Sequence, residues 1–513
     1  MKYATWVIVA FVTLLRGFAA WKVPLTGDEA YYWEWAKHLS LGYADHPPMV
    51  AYLIFPFDWV TANPFWIRIG FLLCGVVATL AAAATAKRIT GNERAGMVTA
   101  LAMTLTPMLS VGFVLATPDG PLMAGWAMCL YLTVRASQTH ARRDYVLLGV
   151  ALAFALLAKM FAFALVAGIV AWAVIPPRRL SAPQRRSLWR EGLGLSFGVA
   201  AVLYAPFVLW NAQHHWTSFI FALQQRHVAE ALWYRPFSYL LANAGAYSPG
   251  LWIAALFVLV RPRNALIAWT SIPLSALLIL LNFHERIELH WFFGPYVSLA
   301  VGMGVAFDDL SHRARVLWAT AGGVPAAVLI PFLFLAAVFP GQLYSQFLKT
   351  GSTLSNTGPF EIFTYWPLAQ DVRRMASAND AVVVTDGYGF SSQMDFEAGI
   401  PPVVIGYAWQ GQEARHWYDA AMQPKRILFV DKEALVPRPG HPKDKGRADF
   451  KRRLGMACGE VKPGPDLEYS YTDPTGHTVP ARTYFLTWCD DPRPDAIRIL
   501  RWDDAGAART AKS

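Results

Sequence analysis

The sequence predicts a polytopic α-helical membrane protein with a small α/β domain at its C-terminal end. Of its 513 residues, 55 % are hydrophobic and only 16 % are charged, a composition too apolar for a soluble protein of this length. Long apolar stretches recur up to residue 339, and the chain is more polar beyond it. We therefore predict a transmembrane domain over residues 1–339 and an α/β domain over residues 340–513.

About 11 transmembrane helices are predicted from apolar stretches, because a helix needs about 17–25 such residues to cross a bilayer. Lys and Arg cluster in alternate connections, and basic connections stay on the cytoplasmic side. The N-terminus is then inside, and residues 340–513 are extracytoplasmic. These basic loops account for the net charge of +10, so nucleic acid is not an expected partner. The predicted spans are 4–22, 64–86, 95–114, 121–137, 145–158, 160–176, 192–210, 238–260, 265–282, 291–307 and 316–339.

Lys159 lies between two of these spans, in a segment with basic residues on both sides. If both flanks are cytoplasmic, residues 145–175 cross the membrane an even number of times, although the segment is too short for two helices of about 20 residues. We predict two short or tilted helices, or a re-entrant pair, that turn at Lys159 on the outer side. Protein would then shield the lysine from lipid. The alternative is a single tilted helix with a snorkelling lysine.

The first long polar segment, residues 26–49, carries adjacent carboxylates at Asp28 and Glu29 and then Asp45 and His46. Tyr and Trp residues lie between them, as is typical of a membrane interface. Carboxylates and a histidine in this position suit acid–base chemistry on a polar group at the bilayer surface. This pattern predicts a catalytic loop, and an ordinary interfacial loop is the alternative.

The charge alternation places several other polar connections on the same side of the membrane as this loop. Convergence of separate loops on one face is what a site between helices requires. Arg16, within the first span, is a functional or ion-pairing candidate, and pairing with a loop carboxylate is the simpler interpretation. The further candidates are Asp119 in a Thr-Pro-Asp-Gly-Pro turn, Arg226, Arg286 and His290.

Three short runs of β-branched and apolar residues predict buried strands in the C-terminal domain, at 381–385, 402–405 and 427–430. Asp386-Gly-Tyr-Gly389 is interpreted as a strand-to-helix turn. Residues 436–465 are predicted to form a mobile loop, and the last dozen residues to be frayed. Cys458 and Cys489 are either a disulfide of an oxidising compartment or two free thiols.

Asp28-Glu29 after the first span, followed by Tyr-Tyr-Trp and then by Asp45-His-Pro-Pro-Met49, resembles the membrane glycosyltransferases of the GT-C class. Within that class, the chain resembles the family 39 branch of protein O-mannosyltransferases and the lipid A aminoarabinose transferase. The resemblance covers roughly residues 1–310. It implies a GT-C-like fold, a polyprenyl-phosphate sugar donor and a lipid, glycan or protein acceptor. It also implies an active site at the outer face of the bacterial inner membrane.

By this resemblance, Asp28 matches the acid of the family's first outer loop, and Asp119 that of its second. Asp28 is expected to act as the general base for an acceptor hydroxyl, with Glu29 beside it as a further catalytic candidate. If the acceptor is itself a phosphate, no base is needed and Asp28 would orient it.

Independently of the resemblance, a sugar-phosphate donor requires cations near its leaving phosphate. Lys159 matches a lysine of the family, and Arg286 with His46 or Arg226 would assist it. His46 stands where the aminoarabinose transferases have lysine. A histidine, with a pKa of about 6.5, carries a charge only part of the time, so a different donor or acceptor remains open.

A divalent metal bound by Glu29, or by Asp28 with His46, is an alternative to simple hydrogen bonding, but no dense metal-ligand motif is present. The alternative function is a transporter or flippase of lipid-linked sugars. Such a protein would carry ionisable residues near the membrane midplane and repeated halves. A non-catalytic membrane scaffold is the second alternative.

Overall fold

The computed structural model describes residues 2–60, 63–175, 192–225, 232–343, 359–405, 413, 417, 424–432, 435 and 448–500. The chain forms two compact units. We call Met1–Lys22 with Leu39–Phe334 the membrane unit, and Val23–His38 with Leu335–Ser513 the C-terminal unit. The sequence had placed residues 23–38 with the transmembrane domain, whereas their packing groups them with the C-terminal unit.

Helices dominate the membrane unit and also flank the sheet of the C-terminal unit. In chain order the helices are α1 (Lys2–Lys22), α2 (Gly27–Lys37), α3 (Met49–Ile54), α4 (Pro64–Thr90), α5 (Glu93–Leu105), α6 (Pro107–Gly112), α7 (Asp119–Thr139), α8 (Arg142–Ala158), α9 (Ala162–Val174), α10 (Gly194–Gln213), α11 (Thr217–Ile220), α12 (Arg235–Tyr247), α13 (Pro249–Val260), α14 (Ala265–Leu281), α15 (Phe293–Phe307), α16 (His312–Val338), α17 (Pro340–Leu343), α18 (Tyr365–Ala378), α19 (Tyr388–Ala398), α20 (Ala448–Ala457) and α21 (Ala496–Leu500).

Several of these helices have the length and hydropathy of a membrane span. Within the described ranges, five helices meet both criteria, or up to six if α13 and α14, which are bent by 109° at their junction, count as one span. The protein is thus a multi-pass membrane protein, and the total of 11 spans stays a prediction.

Two of the predicted spans are broken, each before a proline. The predicted span 95–114 consists of α5 and α6, which begins at Pro107. The predicted span 238–260 consists of α12 and α13, separated at Ser248, whose φ is 73° before Pro249. Proline lacks an N–H and disfavours the helical conformation of the residue before it. At these two positions, two helices replace one continuous helix.

The chain leaves the helical conformation at Lys159, between two short helices. Lys159 has an extended backbone, with φ −160° and ψ 140°, between α8 and α9. It lines the same cavity as Leu281, the last residue of α14. In contrast, Gly168 of α9 lies against the carbonyl of Trp269, in the first half of α14. α9 therefore runs antiparallel to α14, and residues 159–161 separate it from α8.

Small residues allow the helices of this unit to approach each other closely. A Cβ atom at Gly125 of α7 would lie 2.7 Å from the Cβ of Ala155 in α8, so a larger residue would separate the two helices. Close approach through small residues is typical of helix packing in membranes. It fixes the start of α7 beside the end of α8.

The C-terminal unit is built on a five-stranded sheet in the order β2-β1-β3-β5-β4. The strands are β1 (Ala381–Asp386), β2 (Val404–Ile405), β3 (Arg426–Asp431), β4 (Cys458–Thr472) and β5 (Thr478–Pro492). β1 pairs in parallel with β2 and β3, whereas β5 pairs antiparallel with β3 and β4. The three strands predicted from the sequence correspond to β1, β2 and β3.

The two faces of this sheet are covered by different helices. Leu428 and Val430 of β3 pack in one cluster with α18 and α19. Ile427 and Phe429 pack in a second cluster with α20 and α21. Alternate residues of a strand point to opposite faces of the sheet, so β3 is buried on both sides. Its sequence is therefore a continuous run of apolar residues.

The predicted mobile loop at 436–465 was wrong where the structure describes it. Residues 448–457 form α20, and residues 458–465 begin β4, while 436–447 and the last dozen residues lie outside the described ranges. β4 was missed because its start contains glycine and proline and many of its side chains are exposed. Cys458 and Cys489 form a disulfide, with Cα atoms 5.4 Å apart.

Candidate active site

Lys159 and Asp119 form a buried ion pair at one end of the membrane unit. Asp119 is in the first turn of α7, where the helix dipole favours a carboxylate. Lys159 immediately follows α8, and its Nζ donates to Oδ1 of Asp119 over 2.6 Å. The lysine side chain is 3 % exposed and the aspartate side chain 10 %. The two charges therefore offset each other where water is largely excluded.

Lys159 also lines a cavity of about 340 Å³ together with Asp45 and His46. Asp45 and His46 are buried in the segment before α3. This segment is tied to α11 by the hydroxyl of Ser218, which donates to the carbonyl oxygen of Tyr43 over 2.6 Å. The other walls are apolar or aromatic: Met160, Phe161, Phe163, Phe219, Ala222, Leu223, Leu274, Leu277, Leu278, Leu281 and Trp291.

Of the two predicted site residues Arg286 and His290, His290 lies near this ion pair. Its Nε2 lies 4.0 Å from Oδ2 of Asp119, so the carboxylate faces a lysine on one oxygen and a histidine on the other. Arg286 is 72 % exposed, and its Nε lies 3.5 Å from Glu288. Arg286 is not among the residues that line the cavity. Arg226 lies outside the described residues.

Arg16 is buried within α1, as expected for a functional or pairing residue. Its Nη2 donates to the hydroxyl of Ser110 over 3.1 Å, and its guanidinium lies over the ring of Phe113. The simpler interpretation from the sequence, pairing with a carboxylate, is thus replaced by a hydroxyl and an aromatic face. These contacts fix α1 to α6 and the residues after it.

In the C-terminal unit, Glu29 caps the helix that carries it. The hydroxyl of Thr26 accepts from the amide of Glu29 over 3.3 Å. The carboxylate of Glu29 accepts in return from the amide of Thr26 over 2.9 Å. This reciprocal arrangement is a capping box. Because Glu29 is fully buried in this arrangement, its carboxylate has a structural role in starting α2.

Asp28, one residue earlier, is exposed. Its Oδ1 accepts a hydrogen bond from the phenol of Tyr388 over 2.8 Å. Tyr388 is the first residue of α19 and follows Gly387, whose φ of 106° forms the predicted strand-to-helix turn. The turn was predicted from the sequence, but the role of the tyrosine was not. Tyr388 is 360 residues from Asp28 in the chain, so no local pattern indicates their contact.

The two acids thus differ in what they can do chemically. Glu29 is occupied by backbone capping, whereas Asp28 presents a carboxylate at the surface of its unit, suited to accept a proton. Among the residues that the structure describes, no group of three or more His, Cys, Asp or Glu side chains is arranged to hold a metal ion. Of the candidate residues, Asp28 lies in one unit, and Asp45, His46, Asp119, Lys159 and His290 lie in the other.

Residues 45–210 match the family described as dolichyl-phosphate-mannose-protein mannosyltransferase. The lipid A galacturonosyltransferase RgtD of Rhizobium johnstonii is 26 % identical over 355 residues, which are 64 % of this chain and 71 % of that protein.

Solved structures share the fold of nearly the whole chain. The apo crystal structure of ArnT from Cupriavidus metallidurans has a TM-score of 0.61 at 15 % identity and covers 95 % of this chain and 98 % of that one. The same protein bound to undecaprenyl phosphate has a TM-score of 0.59 at 15 % identity, with coverage of 94 % and 97 %. At this identity the similarity establishes the fold.

Fold and family match together confirm the resemblance to the GT-C glycosyltransferases of the family 39 type. The chain is accordingly an enzyme, a multi-pass membrane glycosyltransferase.

Proposed function

We propose that the protein transfers a sugar from a polyprenyl-phosphate donor to a glycolipid acceptor of the lipid A type. The observation that carries this proposal is the cavity around Lys159. It combines one buried cation and two further polar groups with a wall of aromatic and aliphatic side chains. A ligand with a phosphate and a long apolar chain matches both parts. The curated relative is a lipid A galacturonosyltransferase, and the similar ArnT structure holds undecaprenyl phosphate.

In the proposed reaction, an acceptor hydroxyl attacks the anomeric carbon of the donor sugar. The bond from that carbon to the phosphate oxygen breaks, and polyprenyl phosphate leaves. Asp28 takes the proton of the attacking hydroxyl. Lys159 offsets the negative charge that develops on the leaving phosphate. The phosphate must compete with Asp119 for the ammonium group of Lys159. His46 is a second cation for the phosphate when protonated.

The proposed location is the outer face of the bacterial inner membrane. The disulfide between Cys458 and Cys489 supports an oxidising compartment for the C-terminal unit. The charge alternation assigns residues 178–190, which lie outside the described ranges, to the cytoplasm. Cysteines introduced at 178–190 should resist an impermeant thiol reagent added outside the cell, whereas labelling there would contradict this topology.

The function is tested with purified protein, lipid A and a set of polyprenyl phosphates that carry radiolabelled sugars. A galacturonic acid donor is the first choice because of the curated relative. Transfer of label to lipid A is the expected result, with the Asp28→Asn variant as the control for contaminating activity. If label crosses a vesicle membrane while still attached to the polyprenyl phosphate, the protein is a flippase and the proposal is wrong.

A further inference from the structure

We propose that Tyr388 is a positioning residue for Asp28. This inference rests on the proposed function, in which Asp28 is the proton acceptor. The phenol of Tyr388 donates to Oδ1 of Asp28 over 2.8 Å. Because a phenol has one proton to donate, this bond fixes one carboxylate oxygen and with it the plane of the carboxylate.

The helix that carries Asp28 is held by α19 at both of its ends. Near the start of α2, the side-chain amide of Gln393 donates to the carbonyl oxygen of Leu25 over 2.5 Å. At the end of α2, Lys37 pairs with Asp395. Gln393 is fully buried and the carboxylate of Asp395 is 8 % exposed. One buried and one partly buried polar contact therefore define how α2 lies along α19.

A glycine pair brings the starts of the two helices close together. A Cβ atom at Gly27 would lie 3.2 Å from the Cα of Gly389, and one at Gly389 would lie 3.1 Å from the Cα of Gly27. Larger residues at either position would push the helix starts apart. Since Asp28 follows Gly27 and Tyr388 precedes Gly389, the close approach sets the distance between phenol and carboxylate.

The ring of Tyr388 is itself held in place. Its centroid lies 4.6 Å from the ring centroid of Tyr31, and the two rings are tilted by 59°. Tyr31 lies about one turn after Asp28 in α2. A tilted pair at this distance is a favourable aromatic geometry. The ring contact does not involve the hydroxyl, so a Tyr388→Phe variant keeps the packing and loses the hydrogen bond alone.

The first test compares Tyr388→Phe with the matched variant Tyr469→Phe. Tyr469 also donates its phenol to a carboxylate of the same unit, Asp371, over 2.5 Å, but neither residue belongs to α2 or α19. Tyr388→Phe should lower kcat about tenfold, the loss typical of a hydrogen bond to a charged group, with the KM for the donor and the melting temperature unchanged. Tyr469→Phe should leave kcat unchanged.

The second test is a double-mutant cycle with Asp28→Asn, measured in single-turnover reactions. If Tyr388 acts through Asp28, Tyr388→Phe should cause no further loss in the Asp28→Asn background. An unchanged kcat for Tyr388→Phe, or an equal loss in both backgrounds, would overturn the positioning role. A wild-type enzyme that transfers no sugar from any donor would instead overturn the proposed function, and this inference with it.

Discussion

Nζ of Lys159 lies 2.6 Å from Oδ1 of Asp119, and both side chains are nearly excluded from water. From the sequence, Lys159 was expected to be a phosphate ligand and Asp119 a catalytic acid, with separate roles. Because the two side chains are paired, the positive charge of Lys159 and the negative charge of Asp119 stabilise each other. A change at one residue therefore affects stability as well as activity.

Lys159→Met is expected to abolish donor-dependent transfer and also to destabilise the protein. Methionine keeps the packing of the side-chain stem but removes the ammonium that offsets the charge of Asp119. Removing one partner of a buried ion pair costs about 3–5 kcal/mol. The double variant Lys159→Met with Asp119→Asn should regain much of the stability without regaining activity. Thermal unfolding and transfer assays on both variants measure this, and full activity of Lys159→Met would remove the lysine from the donor site.

Asp28→Asn and Glu29→Gln are expected to differ sharply, although the two acids are adjacent and the substitutions are equivalent. Loss of a general base at Asp28 should lower turnover roughly 10²–10⁴-fold. Glutamine at position 29 can still accept from the amide of Thr26 and preserve the capping box, so Glu29→Gln should keep most of the activity. Transfer rates of both variants, measured at saturating donor, test this difference. Equal losses in the two variants would give Glu29 a role in the chemistry.

Leu277→Trp is expected to weaken binding of the long-chain donor. Leu277 lines the cavity and is 49 % exposed, so a larger side chain there narrows the cavity without disrupting the core. Displacing about two methylene groups of the donor from the wall would raise the KM about tenfold. Leu280→Trp is the matched control, because Leu280 lies on the same helix, is 62 % exposed and does not line the cavity. Similar KM values for the two variants would place the donor chain elsewhere.

The stability of the C-terminal unit is expected to fall as the pH rises toward neutrality, in part because of Glu397. Burial raises the pKa of Glu397 to about 7, above its value in the unfolded chain of about 4.3. The folded state therefore binds the proton more tightly, and the stabilisation present at low pH is lost as the pH rises through 7. Melting temperatures at pH 5 and pH 8 should differ less in Glu397→Gln than in wild type. Glu468→Gln, at an exposed position of β4, should retain the wild-type difference.

Local patterns in the sequence were sufficient to predict several features of this protein. Apolar runs of membrane length and the placement of basic residues predicted a multi-pass protein, and basic flanks predicted the division into two short helices at Lys159. Buried strands such as β3 could be predicted because both faces of the sheet are covered, and a strand buried on both faces has a continuous run of apolar residues. β4 was not visible, because an exposed strand that contains glycine and proline has no such run.

Tertiary structure alone decided which of the candidate residues meet. Asp119 and Lys159 are 40 residues apart, and Asp28 and Tyr388 are 360 residues apart. These contacts arise from the packing of separate elements, through small residues between α7 and α8 and between α2 and α19. Likewise, Asp28 and Glu29 were predicted from the sequence as a pair of catalytic candidates. Only the capping box between Thr26 and Glu29 shows that Glu29 has a structural role. Local periodicity reports the burial of a side chain, whereas its partner depends on helices brought together from distant parts of the chain.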